Sequence, residues 1–331
     1  MRVTQNSSFI PFQSSIEDIQ LRLTKEQARM SSGKQIISIS DAPKDIVDVK
    51  KLSENISRNE QYQNNIGSAL QELMSVSDIL DSTIQKFTDI RNIALDATQT
   101  GNIGNLPVLA TSIQVILQDI IKDANSDFNG KLLFSGTKTT LDSITPTPPQ
   151  TNSSPFELIK DTPTATNPSG FIVVFKGNVK DIEIQKDSKS TEVINTKANE
   201  IFGTGGTSAM QNVIDLYNLL MYKSDGSKRT DKDLLNKEDL GKLDAYQKNI
   251  TDNLQKMESA NSINGSRINR LQAVTDQITS ENIRLNEVKS KLEDTDVAQT
   301  AINLARENTA LQYTLQVGSK LVQQSLFDFL R

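Results

Sequence analysis

Neither cysteine nor histidine nor tryptophan occurs in this chain of 331 residues, and aromatic residues of all kinds make up only 5% of it. Without cysteine there is no disulfide, no thiol nucleophile and no thiolate metal ligand; without histidine there is no imidazole acid or base and no Cys/His zinc site. Charge of one sign is lacking as well: 36 Lys and Arg stand against 41 Asp and Glu, a net charge of -5, which speaks against a polyanionic partner such as nucleic acid. No apolar run approaches the length of a bilayer crossing, so no membrane partner is expected. The opening Met1-Arg2-Val3-Thr4 is not followed by an uninterrupted apolar stretch, because Pro11, Gln13 and Ser14 break up Phe9, Ile10 and Phe12. It does not read as a cleavable secretory signal.

What is present is helical periodicity in two long halves. Ser40-Asp41-Ala42-Pro43 supplies a helix start in which Ser40 or Asp41 can accept from the first free amides and Pro43 is tolerated in the opening turn. Val49, Leu52, Ile56, Ile66, Leu70, Leu73, Leu80, Ile84, Phe87 and Ala94 then recur at spacings of three and four, predicting a helix over about 45–98 that is on the order of 80 Å long. Polar residues Asn59, Gln63, Ser77 and Arg91 interrupt the seam, a pattern that specifies register at some cost in stability. A shorter helix is expected through Leu109, Ile113, Ile116, Ile120 and Ile121. The second half repeats the pattern from Leu243 through Ile250, Leu254, Met257, Ile268, Leu271, Ile278 and Leu285 to Leu292. The expected fold is therefore mainly α: an elongated antiparallel helical hairpin or bundle made by the N- and C-terminal halves.

Between the halves lie six of the nine prolines, Pro146, Pro148, Pro149, Pro155, Pro163 and Pro168, in a stretch that cannot be helix. Phe171–Phe175, the turn signal Gly177-Asn178 and the alternating Val179–Ile184 predict a hairpin, hence a small β-rich insert. The expected division is 1–44 as an N-terminal assembly segment, 45–136 and 206–294 as the two halves of a helical rod, 137–205 as the insert and 295–331 as a C-terminal assembly helix. That last helix, capped by Thr295, carries Leu311, Leu315, Val322, Leu326 and Phe329.

Candidate chemistry is sparse. Gly203-Thr204-Gly205-Gly206-Thr207 precedes a helix but lacks the Lys-Ser/Thr pair of a phosphate-binding loop, so it reads as a flexible joint with no ligand. Glu293, Asp294 and Asp296 read as acids favoured at a helix start, not as a metal site. No catalytic residue, cofactor or metal ligand is assigned, and a polysaccharide-active site on so short an insert has little room to form.

Two segments at opposite ends of the chain carry a resemblance. Arg29-Met-Ser-Ser-Gly-Lys34 followed by Ser40-Asp41-Ala42-Pro43 resembles the N-terminal Ser-Ser-Gly-Lys-Arg-Ile and Ser-Asp-Asp-Pro signature of the flagellin family, with Gln35 for Arg and Ala42 for the second Asp. Leu292-Glu-Asp-Thr-Asp296 and the helix through Leu326 resemble the family's C-terminal segment. Within the family, Met1-Arg2-Val3-Thr4 and Phe128–Thr137 are more similar to the members that join hook to filament than to filament subunits. The resemblance implies a structural adaptor of the bacterial flagellum and not an enzyme, with terminal helices poorly ordered alone and packed together in the axial tube. It implies export through the flagellar type III channel, to an external flagellum or a periplasmic one. The implied partners are other copies of the chain in a ring, a hook-side junction protein, filament flagellin and a cytoplasmic export chaperone on the C-terminal helix. The expected interface sets Ile16, Ile19 and Leu23 against Leu311, Leu315, Val322, Leu326 and Phe329 of neighbouring copies. Filament flagellin itself, and a soluble coiled-coil adhesin or binding module, are the alternatives.

Overall fold

The computed structural model describes residues 3–99, 105–146 and 152–329, with side chains from residue 10 to residue 320. Helices make up 67% of the described residues, which places the chain in the mainly α class. In order they are α1 (Val3–Ser32), α2 (Pro43–Asp96), α3 (Leu106–Ala124), α4 (Ala198–Ile201), α5 (Ser208–Met221), α6 (Lys237–Glu293) and α7 (Val297–Phe329). Short strands lie between α3 and α4: β1 (Asp127–Phe128), β2 (Lys131–Leu132), β3 (Phe156–Lys160), β4 (Phe171–Phe175), β5 (Glu183–Gln185) and β6 (Thr191–Val193). None of the described helices is long and apolar enough to cross a membrane. The chain divides into two compact units, residues 1–60 with 278–331, and residues 61–277.

The larger unit is built on the heptad pattern of α2 and α6. The buried face of α2 runs Ile66, Ala69, Leu73, Val76, Leu80, Thr83, Phe87, Ile90 and Ala94, alternating steps of three and four. The expected seam placed Leu70, Ser77, Ile84 and Arg91 on this line; they flank it half-buried, and the small or β-branched Ala69, Val76, Thr83 and Ile90 occupy it instead. α3 and α5 pack on each other, and their buried side chains share one apolar cluster with those of α2 and α6, so the core holds more than a two-helix hairpin. The polar seam residues make interhelical bonds: Ser77 Oγ donates to Asn261 Oδ1 (2.7 Å), Asn261 Nδ2 to Asp81 Oδ1 (2.6 Å), and the fully buried Asn264 Nδ2 to the Leu73 carbonyl (2.7 Å). Such directional bonds are satisfied in one register only, which is how a polar residue at a core position fixes alignment.

The β insert differs from the sequence expectation in its pairing. β4 does not turn back through Gly177-Asn178; it pairs antiparallel with β3, from Phe156 opposite Phe175 to Lys160 opposite Phe171. Asn178 is committed elsewhere, its Oδ1 accepting the Thr137 and Lys180 amides and its own amide donating to Ser135 O, so it locks the 134–137 segment and leaves no two-residue hairpin. β5 pairs with β6 instead, closed by Asp187 Oδ1, which accepts the Lys189 and Ser190 amides. Pro155 stands immediately before β3, and Pro163 and Pro168 lie in the β3–β4 connection, where no ladder donor is needed. Pro148 and Pro149 lie outside the described residues.

Phe156 joins this sheet to the helices, edge-on to Phe202 at 5.4 Å between ring centres and 4.9 Å from Phe175. The 203–207 segment, expected as a flexible joint, is a packed turn. Gly206 is buried with φ of 74°, and a Cβ there would come within 3.1 Å of Ala198 Cβ and of the Phe175 ring. Only glycine meets both the left-handed backbone and the close approach.

Candidate assembly surface

In the smaller unit, α1 and α7 pack against each other. The covered face of α1 carries Phe12, Ile16, Ile19, Leu23 and Glu26 at alternating steps of four and three; Ile19 and Glu26 are buried and the others half-buried. The covered face of α7 carries Thr300, Leu304, Glu307, Leu311, Thr314 and Gly318 at the same spacing. The pair is antiparallel: Arg22 Nε donates to Glu307 Oε2 at 3.2 Å, and Phe12 sits on Gly318, where an added Cβ would lie 2.0 Å from the ring. The terminal stripes were expected to find partners only in neighbouring copies. Within the described residues they pair in one chain, because both have heptad spacing and the chain connections bring them together antiparallel.

The predicted interface residues consequently fall in three places. Ile16, Ile19, Leu23 and Leu311 lie on the two faces that meet in this pair. Leu315 is 51% exposed. The side chains of Val322, Leu326 and Phe329 lie outside the described residues.

A second apolar line was missed. On the side of α7 away from α1, Ile302, Ala305, Thr309, Tyr313 and Val317 recur at steps of three and four, with Tyr313 65% exposed and Ile302 and Val317 each 56%. At 3.6 residues per turn these positions share one face about half a turn from Leu311. Testing the C-terminal segment for two apolar lines rather than one would have found it.

The two segments that carry the family resemblance meet in space. Gly33, with φ of 69°, ends α1, and beyond it Lys34 and Asp294 form an antiparallel bridge. The Gln35 amide donates to Glu293 O (2.7 Å) and the Thr295 amide to Gly33 O (2.9 Å). Lys34 Nζ reaches Asp294 Oδ1 at 2.6 Å and Glu293 Oε2 at 3.4 Å. Thr295 therefore does not cap α7: its amide serves the bridge, and Asp296 takes the capping role by accepting the Gln299 amide at 3.1 Å. Asp41 does not cap α2 either. Its Oδ2 folds the preceding loop by accepting the Ile37 and Ser38 amides, while Oδ1 receives Lys25 Nζ at 2.6 Å.

These contacts make the clasp pH-dependent. The hydrogen bond from Lys25, with the Ser38 and Ile37 amides, lowers the Asp41 carboxyl to about 2, and the hydrogen bond from Lys34 lowers that of Asp294. The bond to Asp294 raises Lys34. A depressed carboxyl stabilises the fold above its unfolded value and loses that contribution as pH falls through the folded value; a raised lysine loses its contribution as pH climbs through its folded value. Protection of the Gln35 and Thr295 amides, taken as the ratio of intrinsic to observed exchange at each pH, is therefore expected to fall below about pH 4, near the unfolded Asp value, while amides buried in α2 keep theirs. Equal loss of protection at both places would show that the clasp is not what acid releases.

Residues 3–139 match the family described as the bacterial flagellin N-terminal helical region. No curated protein sequence matches the chain. Among solved structures, a flagellar hook-associated protein from Vibrio parahaemolyticus is 21% identical, with 77% of this chain and 100% of that one covered and a TM-score of 0.61. Flagellar hook-associated protein 3 from Legionella pneumophila is 13% identical over 74% of this chain and 98% of its own, TM-score 0.57. The flagellar junction protein FlgL from the same organism is 13% identical over 76% of this chain and 100% of its own, TM-score 0.53. At these identities the likeness establishes a shared fold.

Proposed function

We propose that this chain, whose residues 3–139 match the flagellin N-terminal helical region, is a structural adaptor subunit of the bacterial flagellum that joins hook to filament, and that it has no enzymatic role. The observation that carries the reading is the two-sided α7 helix: one face is closed by α1, and the opposite face presents Ile302, Tyr313 and Val317. An apolar line of that kind is covered when a neighbouring subunit docks. Fully burying a large apolar side chain contributes about 1.5–3 kcal/mol before ordering costs, so a few per contact, repeated around a ring, make a durable joint.

In this reading 1–44 and 295–331 are the assembly segments, 45–136 and 206–294 the rod and 137–205 a small β-rich insert. Ile16, Ile19, Leu23 and Leu311 hold the terminal pair together, while Leu315, Val322, Leu326 and Phe329 extend the contact with neighbouring copies. Hook-side junction protein and filament flagellin flank the ring, and an export chaperone covers the C-terminal helix before secretion through the flagellar type III channel. The protein resides in the flagellum, outside the cell or in the periplasm where the flagellum is enclosed.

Electron microscopy of the purified chain with and without isolated hooks tests this. Short caps on hook ends, with no long polymers in the protein alone, are expected. Long filaments from the protein alone would make it a filament flagellin, and neither structure forming would return it to the coiled-coil binding proteins.

A further inference from the structure

A lysine, a glutamate and an asparagine converge where the β3–β4 pair opens. Lys176 follows β4, and its amide donates to Pro155 O at 2.8 Å, carrying the pairing one step further. Its side chain turns inward and is 4% exposed, as is that of Glu157, whose Oε2 lies 2.8 Å from Lys176 Nζ. The same nitrogen lies 3.1 Å from Asn152 Oδ1 and 2.5 Å from the Asn152 carbonyl. Asn152 Oδ1 also accepts the Ser154 amide at 3.0 Å.

A buried ion pair is costly to hold out of water, and such pairs are weak evidence of stability. The Lys176 ammonium has three N–H groups, and its three acceptors are Glu157 Oε2, the Asn152 carbonyl and Asn152 Oδ1, so the contacts that satisfy it also hold the Asn152 carboxamide against the amine. An amine beside an amide carbonyl, with a carboxylate to carry protons and an N–H donor already on the carbonyl oxygen, is the arrangement that transamidation requires.

We propose that Lys176 and Asn152 join in an intramolecular isopeptide bond, with Glu157 as the proton carrier. Glu157 takes one proton from the ammonium, and the freed amine attacks Asn152 Cγ. Charge gathers on Oδ1, where the Ser154 amide meets it. Glu157 then returns the proton to the departing nitrogen; the Cγ–Nδ2 bond breaks, the Nζ–Cγ bond remains as a secondary amide, and ammonia leaves with the surplus proton as ammonium. Nothing is oxidised or reduced and no co-reactant is consumed. The reactants are already neighbours, which converts a bimolecular step into an intramolecular one. In a chain without cysteine, the link ties the two ends of a hairpin 24 residues apart in sequence, a constraint that acts mainly on the unfolded chain.

Tryptic digestion and mass spectrometry of the purified, folded full-length chain, aged at neutral pH, tests this. The native protein is expected to give one branched peptide containing Asn152 and Lys176, lighter by one ammonia and uncut after Lys176. Glu157→Gln and Lys176→Arg, each checked for native helicity by circular dichroism, are expected to give the separate peptides at full mass. Separate full-mass peptides from the native protein would overturn the proposal, as would ammonia loss without the branched peptide. Branching as complete in Glu157→Gln as in the native chain would overturn the role of Glu157.

Discussion

Deleting residues 295–331 is expected to abolish capping of isolated hooks while the 61–277 unit stays folded. Two separate contacts disappear with α7. The α1 face of Phe12, Ile16, Ile19 and Leu23 loses the helix that covers it, and the outward line of Ile302, Tyr313 and Val317 is gone. The core of the larger unit contains no residue from the deleted segment, since its buried cluster runs from Val76 to Ala260. Cap counts by electron microscopy should therefore fall to background, while the cooperative unfolding of the remaining unit persists. A truncated protein that still caps hooks would remove α7 from the joint. A milder version separates the two faces: Tyr313→Ser with Val317→Ser alters only the outward line, and is expected to reduce capping without loosening α1, as read by unchanged amide protection at Ile19.

Substituting Arg229 by Leu is expected to destabilise the larger unit by about 3–5 kcal/mol, the range for breaking one side of a buried ion pair. Arg229 and Asp239 have side chains only 3% and 5% exposed, with Nη2 2.6 Å from Asp239 Oδ2. The guanidinium also donates through Nε to Leu219 O and Tyr222 O (both 3.1 Å) and through Nη1 to Leu234 O (3.0 Å). It thus satisfies carbonyls at the end of α5, which a helix leaves without partners, while Asp239 takes its charge in the first turn of α6. Leucine fills part of the volume but takes the guanidinium donors from those carbonyls and leaves the Asp239 carboxylate buried without a cation, with only the Asn236 amide at 3.3 Å on its Oδ2. Urea unfolding followed by tyrosine fluorescence reads this unit, because Tyr217, Tyr222 and Tyr246 lie in it. The double variant Arg229→Leu with Asp239→Leu should recover much of the loss, since no unpaired charge then remains; a single variant as stable as the native chain would show that the pair is unimportant.

Neither the Arg229 site nor the Lys176 site is visible in the sequence. Arg229 lies in a polar run and Glu157 in the proline-bounded stretch, and no local pattern marks either side chain for burial. Pairing in three dimensions buries both. The same holds for the strands: Phe171–Phe175 is recognisable, but its partner Phe156–Lys160 lies in the proline-bounded stretch and was not read as a strand, and Asn178, which would have turned the chain back, is held by Thr137, a contact between positions 41 residues apart.

By itself the sequence determined that this protein is mainly helical, where the two long rod helices run, that its polar middle holds short strands, and that each end carries a segment resembling one family. These follow from local rules: a 3–4 apolar spacing can bury one face only as a helix, proline excludes it, and the chemistries that need cysteine or histidine are absent with the residues. Only the tertiary structure decided that the two signatures clasp each other through Lys34 and Asp294, that Ile16, Ile19 and Leu23 lie on a face closed by the chain's own α7, and that α7 turns Ile302, Tyr313 and Val317 outward. A helix with apolar residues on two sides can turn either one inward. The choice is made by which partner face arrives at the right spacing, and that is a property of the folded chain.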